Sequence, residues 1–187
     1  MEPLRMKRLF VAIPLPNSVA DDVETLCSGL LRALWVEPEH FHITLRFLGD
    51  MDADEQMLVR DSLAAIASNP FEITLRGVGT FPPLGPTTVP SVLWVGMDES
   101  APLRELQSKV EDAVQEAGVP MELRPFHAHV TVARFKSDPG QDISAWMWMR
   151  SAYESRTFRV EEFHLIESFL TNDGPVYTHV ETFKLGT

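Results

Sequence analysis

Cysteine is almost missing from this chain: Cys27 is the only one in 187 residues. A lone thiol excludes an intrachain disulfide and a cysteine-built metal cluster, and it fits a reducing compartment. Long apolar runs are missing too. The stretch LFVAIPLP at 9–16 is broken by Pro14 and Pro16, and nothing approaches the ~20 residues that span a bilayer. No N-terminal stretch reads as a signal peptide, so a cytoplasmic protein with no membrane partner is expected. Positive charge is scarce: 16 Lys and Arg stand against 27 Asp and Glu, a net −11. Proteins that grip a long duplex neutralise many phosphates and are usually basic, which argues against a double-stranded DNA groove binder. A small anion, or one end of a strand, could still be held by a few local cations. Also absent are a Gly-rich phosphate loop and a Ser or Cys nucleophile motif.

What is present suits one globular domain, with 44% apolar residues and eleven Phe and four Trp to fill a core. Strand and helix patterns alternate. Residues 8–13 read as a buried strand, and Asn17 as the cap of a helix carrying Val19, Val23, Leu26 and Leu30 on one stripe. A strand over 41–49 follows, then a helix over 53–67 with Leu58, Ala65 and Ile66 inward, and a strand over 71–79. The acidic stretch 51–55 reads as a solvated helix start. The order then restarts: LFVAIPLPNSV at 9–19 lies over LWVGMDESAPL at 93–103. A helix with Leu103, Leu106, Val110, Val114 and Ala117 at helical spacing follows, then a strand over 127–135 and a short helix over 142–150. Two strands, 157–169 and 175–185, are joined by the turn signal Asn172-Asp173-Gly174. The expected fold is α+β and bilobal: two duplicated β-α-β-type lobes, near 7–80 and 91–187, about a pseudo-twofold axis with a central cleft. Residues 81–90 would link them.

One motif occurs in both halves. His42-Ile43-Thr44-Leu45 and His129-Val130-Thr131-Val132 both read His-x-Thr-x inside an apolar strand. Residues two apart on a strand share a face, so each histidine projects with its threonine while the residues between anchor the other side. Two such matches would arise by accident about one time in twenty, and their equivalent places in a duplication make accident less attractive. Two imidazoles facing each other across a cleft suit in-line cleavage of a phosphodiester, which needs a base on one side of phosphorus and an acid on the other. A nearby hydroxyl can donate to a phosphate oxygen without adding charge. Three alternatives remain open on the residues alone. The histidines could be satisfied core residues. His40-x-His42 and His127-x-His129 could hold a transition metal, although no carboxylate sits at either motif. The chain could also bind a nucleotide or RNA end without turning it over.

The extended motifs, His42-x-Thr44-x-x-Phe47 and His129-x-Thr131-x-x-Arg134, resemble those of the two-histidine (2H) phosphoesterases. The similarity is to the RNA 2′,3′-cyclic phosphodiesterases, also called LigT-like 2′-5′ RNA ligases. RLFVAIPLP, HITLRFLGD, VLWVG, HVTVARF and GPVY carry it over nearly the whole chain. That resemblance implies metal-independent opening of a 2′,3′-cyclic phosphate to a 2′-phosphomonoester, on RNA ends or nucleotides. No cofactor is implied, and a monomer is expected. The reverse reaction would give a 2′-5′ linkage. His42 would protonate the departing O3′, His129 would activate water, Thr44 and Thr131 would hold the phosphate, Arg134 would pair with its oxygens, and Phe47 would shape the nucleoside side. The histidines two residues before each motif, His40 and His127, are departures from the family pattern. Strict alternation also places Phe47 and Arg134, each five residues past its histidine, on the far face, so a bulge or strong twist is needed to bring Arg134 round. Arg46 has the parity of His42 and is a further candidate for phosphate contact.

Overall fold

Strand β1 (Lys7–Pro14) buries five residues in a row, Leu9 to Ile13, as its unbroken apolar run requires of a strand covered on both faces. It lies inside an eight-stranded sheet in a computed structural model that describes residues 6–85, 87–140, 142–171 and 174–186. The elements in chain order are β1, α1 (Asn17–Glu24), β2 (Leu34–Trp35), a 3₁₀ turn (Pro38–His40), β3 (His42–Met51), α2 (Ala53–Ala64), β4 (Phe71–Ile73), β5 (Leu75–Phe81), β6 (Val92–Met97), α3 (Ala101–Glu116), β7 (Val130–Arg134), α4 (Asp142–Arg150), β8 (Phe158–Val160), β9 (Glu162–Thr171) and β10 (Gly174–Lys184). The sheet runs β10-β9-β1-β3-β7-β6-β5, with β2 alongside β7; β4 and β8 form a separate pair. Among the described residues no helix is long and apolar enough to cross a membrane.

The two expected β-α-β units are present as β1-α1-β3 and β6-α3-β7, but strand pairing crosses the boundary drawn between 7–80 and 91–187. Strand β5 from the first half pairs with β6, and the hairpin β9–β10 from the end of the chain extends β1. Each half thus supplies an edge to the other's sheet. The strands expected over 71–79 and 157–169 each break in two. Thr74 separates β4 from β5, and Glu161 separates β8 from β9. Both breaks let one apolar run serve two sheets. Asn172 and Asp173 lie outside the described residues, but Thr171 pairs with Gly174 across the turn.

Helix starts and faces also differ from the expected pattern. Helix α1 begins at Asn17 itself after Pro16 and has no side-chain cap; it stops at Glu24, so Leu26 and Leu30 are buried from the following turns. The start of α2 is fixed one residue earlier than its first turn, by Asp52. Its carboxylate accepts from the Asp54 and Glu55 amides at 3.0 and 2.9 Å, and Glu55 reaches back to the Asp52 amide at 2.8 Å. That frame turns Val59 and Leu63 inward and leaves Leu58 and Ala65 exposed, with Ile66 half-buried. Helix α3 buries Leu103, Leu106, Val110 and Val114 as its spacing predicts, with Ser100 capping Leu103. It packs against α2 and β3, so the core lies on the face of β1 and β3 that carries Val11, Ile13, Ile43 and Leu45. The other face of the sheet is left to the histidines.

Candidate active site

Two bulges, one in each half, decide which side chains share that face. Against β1, Val11 pairs with Arg46 and Ala12 with Thr44, so Leu45 is an extra residue in β3. Against β6, Leu93 pairs with Ala133 and Trp94 with Thr131, so Val132 is an extra residue in β7. Leu45 and Val132 each lie three residues past a motif histidine. An extra residue reverses the alternation beyond it. Phe47 therefore lies across from Phe10, and Arg134 across from Val92, on the faces that carry His42 and His129.

The same bulge removes Arg46 from the site. Its predicted parity with His42 is reversed at Leu45, and the side chain is buried on the core face. There Nε donates to Glu111 Oε2 at 2.5 Å, Nη1 to the Phe47 carbonyl at 2.5 Å, and Nη2 to the Pro120 carbonyl. With its guanidinium so engaged, Arg46 ties β3 to α3 and is not available to a phosphate.

Strands β3 and β7 meet at a single antiparallel pair, Ile43 with Val130, and each motif histidine immediately precedes its member of that pair. Nδ1 of His42 lies 2.7 Å from the His40 carbonyl, and Nδ1 of His129 lies 2.7 Å from the His127 carbonyl. A carbonyl only accepts, so in both rings Nδ1 carries the proton and the neutral ring offers a bare Nε2. The residues two before the motif thus act on the rings through their backbone. Burial, opposed by that carbonyl bond, pushes the His42 imidazole down to about 4, with the charges of His129, His40 and Arg134 adding to the shift. Burial also lowers His129, to which His127 and Arg134 contribute. Thr44 and Thr131 are half-buried beside them.

Four aromatic residues that sequence reasoning passed over complete the site. Tyr177 on β10 meets His40 and His42 edge-on, with centroids 5.0 and 5.4 Å away. Phe81 on β5 meets His127 and His129 in the same manner, at 5.1 and 4.9 Å. Behind them, Phe10 lies 5.0 Å from His42 and Trp94 lies 6.3 Å from His129. A Cβ on Gly79 would fall 2.2 Å from the Trp94 ring, so glycine there is what lets the indole lie across β5. The offset of 84 that aligns the two halves already pairs Phe10 with Trp94, and was the available signal. Phe81 was placed in the linking loop 81–90, but it is the last residue of β5. His164 and His179 contact each other at 4.8 Å; His164 is bonded to Glu162 and His179 to Thr182, and His164 lies across β1 from Thr44, with Ala12 between them. Among the described residues no three of His, Cys, Asp and Glu are grouped to hold a metal.

A mixed α+β sheet that presents two equivalent His-x-Thr strands on one open face defines a two-histidine phosphoesterase of the LigT-like fold. Residues 15–169 match the 2′-5′ RNA ligase superfamily, and the chain belongs to that family. It is 32% identical over 180 residues to the RNA 2′,3′-cyclic phosphodiesterase of Archaeoglobus fulgidus, covering 95% of this chain and 99% of the relative. Identity to the enzyme of the same name from Aquifex aeolicus is 34% over 174 residues, 91% of each chain. The Methanothermobacter thermautotrophicus enzyme is 33% identical over 187 residues, 95% and 98% covered. The fold superimposes on Escherichia coli LigT in its apo form with a TM-score of 0.79, at 23% identity and with 97% and 99% of the chains covered.

Proposed function

We propose that the protein hydrolyses a 2′,3′-cyclic phosphate, at an RNA end or on a nucleotide, to a 2′-phosphomonoester. The observation that carries this reading is the pair of imidazoles held alike on either side of Ile43–Val130, each with its Nδ1 proton on a carbonyl and its Nε2 free. Near-full-length relatives that bear the activity in their names support it. In the proposed reaction His129 Nε2 takes a proton from water as the oxygen attacks phosphorus. The P–O3′ bond breaks in line, and protonated His42 gives its Nε2 proton to O3′. Thr44 and Thr131 donate to the non-bridging oxygens, and Arg134 neutralises the charge that develops there. Phe47 borders the nucleoside. Run backwards, with an RNA 5′-hydroxyl in place of the water, the same proton transfers would join strands by a 2′-5′ bond.

All the chemistry lies in protein side chains, so turnover of an RNA ending in 2′,3′-cyclic phosphate should be undiminished after exhaustive chelation with EDTA. Loss of activity, restored by one added metal, would make the His-x-His pairs metal ligands instead.

The pH profile should report the depressed imidazoles. The base acts only when neutral, so activity falls as pH drops through its pKa; the acid acts only when protonated, so activity falls as pH rises through its own. In the free protein both are shifted down, and kcat/KM should therefore peak below pH 6.5. A bound phosphate anion favours both imidazolium forms, so the bell for kcat should lie at higher pH than the bell for kcat/KM. Its limbs belong to the coupled pair and not to single residues. Coincident bells would mean that phosphate does not bind between the rings.

The depth of the His42 shift, to about 4, favours a second assignment in which the roles are exchanged. A 3′-bridging sulfur leaves as thiolate without a proton, so a cyclic substrate carrying one should rescue whichever alanine variant lacks the acid.

A further inference from the structure

The chain has two tyrosines, and their hydroxyls stand in different surroundings. Tyr153 Oη is buried without a hydrogen-bond partner. Tyr177 Oη also makes no hydrogen bond among the described residues, but it is not sealed from solvent. The ring that carries it is fixed all the same. It meets Phe10, His40 and His42 edge-on, with centroids 5.4, 5.0 and 5.4 Å away. The phenol is thus held against the imidazole that serves as acid, with a donor to spare.

The other half of the molecule supplies the comparison. Phe81 stands to His127 and His129 as Tyr177 stands to His40 and His42, edge-on at 5.1 and 4.9 Å. Packing against a pair of histidines therefore needs only a phenyl ring. The hydroxyl is an addition, and it is made on the His42 side alone. Beside His129, a second donor would draw electron density from the attacking water. Beside His42, the departing O3′ gains negative charge, and a donor placed there lowers the barrier. Burial pushes the Tyr177 phenol up, with the Arg134 charge opposing, so the group keeps its proton at neutral pH.

We propose that the Tyr177 hydroxyl is a further catalytic group, donating a hydrogen bond to the departing O3′ while His42 delivers the proton. This rests on the proposed phosphodiesterase function and adds to it a residue that marks which ester oxygen leaves. Tyr177 keeps its own hydrogen, so the proton balance between His42 and His129 is unchanged.

Tyr177→Phe removes one oxygen and keeps the ring, so Tm should not move. On 2′,3′-cyclic AMP, kcat should fall roughly 10- to 100-fold with KM little changed, the scale of a hydrogen bond to a group that gains charge. On the cyclic substrate with a 3′-bridging sulfur, which leaves as thiolate without a donor, the loss should vanish. Equal losses on both substrates would place the hydroxyl on another atom and overturn the assignment, as would an unchanged kcat on cyclic AMP. If the wild type opens neither substrate, the proposed function itself is at fault, and binding decides the contact alone. Titration calorimetry then compares 2′-AMP with 3′-deoxyadenosine 2′-phosphate, which lacks the oxygen. Its removal should weaken binding to the wild type roughly fivefold more than binding to Tyr177→Phe. Equal losses in the two proteins would refute the contact.

Discussion

His42→Ala and His129→Ala should each lower kcat by at least ~100-fold, the scale of a lost general acid or base. Each removes an Nε2 that no neighbour can supply, because the partner ring across Ile43–Val130 is committed to the other proton. The double variant should cost little more than either single change, since acid and base act as a unit. His40→Ala and His127→Ala should cost far less: what each gives its motif ring is a backbone carbonyl, which alanine retains. Steady-state kinetics on a cyclic-phosphate RNA check all five variants. Parity between the −2 and motif substitutions would show that His40 and His127 act through their rings, as their edge contacts with Tyr177 and Phe81 allow.

The largest expected effect on stability lies at Arg46. Arg46→Ala strips Glu111, half-buried on α3, of its cation and takes this donor from the Phe47 and Pro120 carbonyls. Breaking a buried pair from one side costs about 3 kcal/mol, which lowers Tm by roughly 10 °C in a chain of this size. Arg134→Ala, on the opposite face, should leave Tm within a degree or two while depressing kcat/KM. Arg134→Lys should recover only part of that loss, because an ammonium cannot make two parallel bonds to a phosphate. Differential scanning calorimetry beside kinetics separates the two arginines. A kinetic loss at Arg46 without a melting shift would return it to the phosphate site.

These two arginines show where sequence reading reached its limit. His42, Thr44, His129 and Thr131 were legible because spacing of two on a strand means one face, and the repeat tied the strands together. Four and five residues on, beyond the bulges, the same rule gave the wrong side for Arg46, Phe47 and Arg134 together. A bulge is a property of two strands in register, and nothing in LRFLG or VARF alone announces the extra residue. The duplication was visible, but not the exchange of β5 and β9–β10 between halves, because a strand's partner is chosen across the sheet. Phe81 and Tyr177 were hidden for that reason, each arriving at the histidines on an exchanged strand. Leu58 was misplaced by a frame error, since the Asp52 capping box sets the phase of α2.

The central claim is that two imidazoles open the cyclic phosphate at O3′. The most direct measurement is hydrolysis of a 2′,3′-cyclic-phosphate RNA in ¹⁸O-water with EDTA, with the product's phosphate located by ³¹P NMR. The wild type should give a 2′-phosphomonoester carrying one ¹⁸O, and neither His42→Ala nor His129→Ala should give it at an appreciable rate. A 3′-phosphate product, or undiminished 2′-phosphate from either alanine variant, would contradict the two-histidine mechanism.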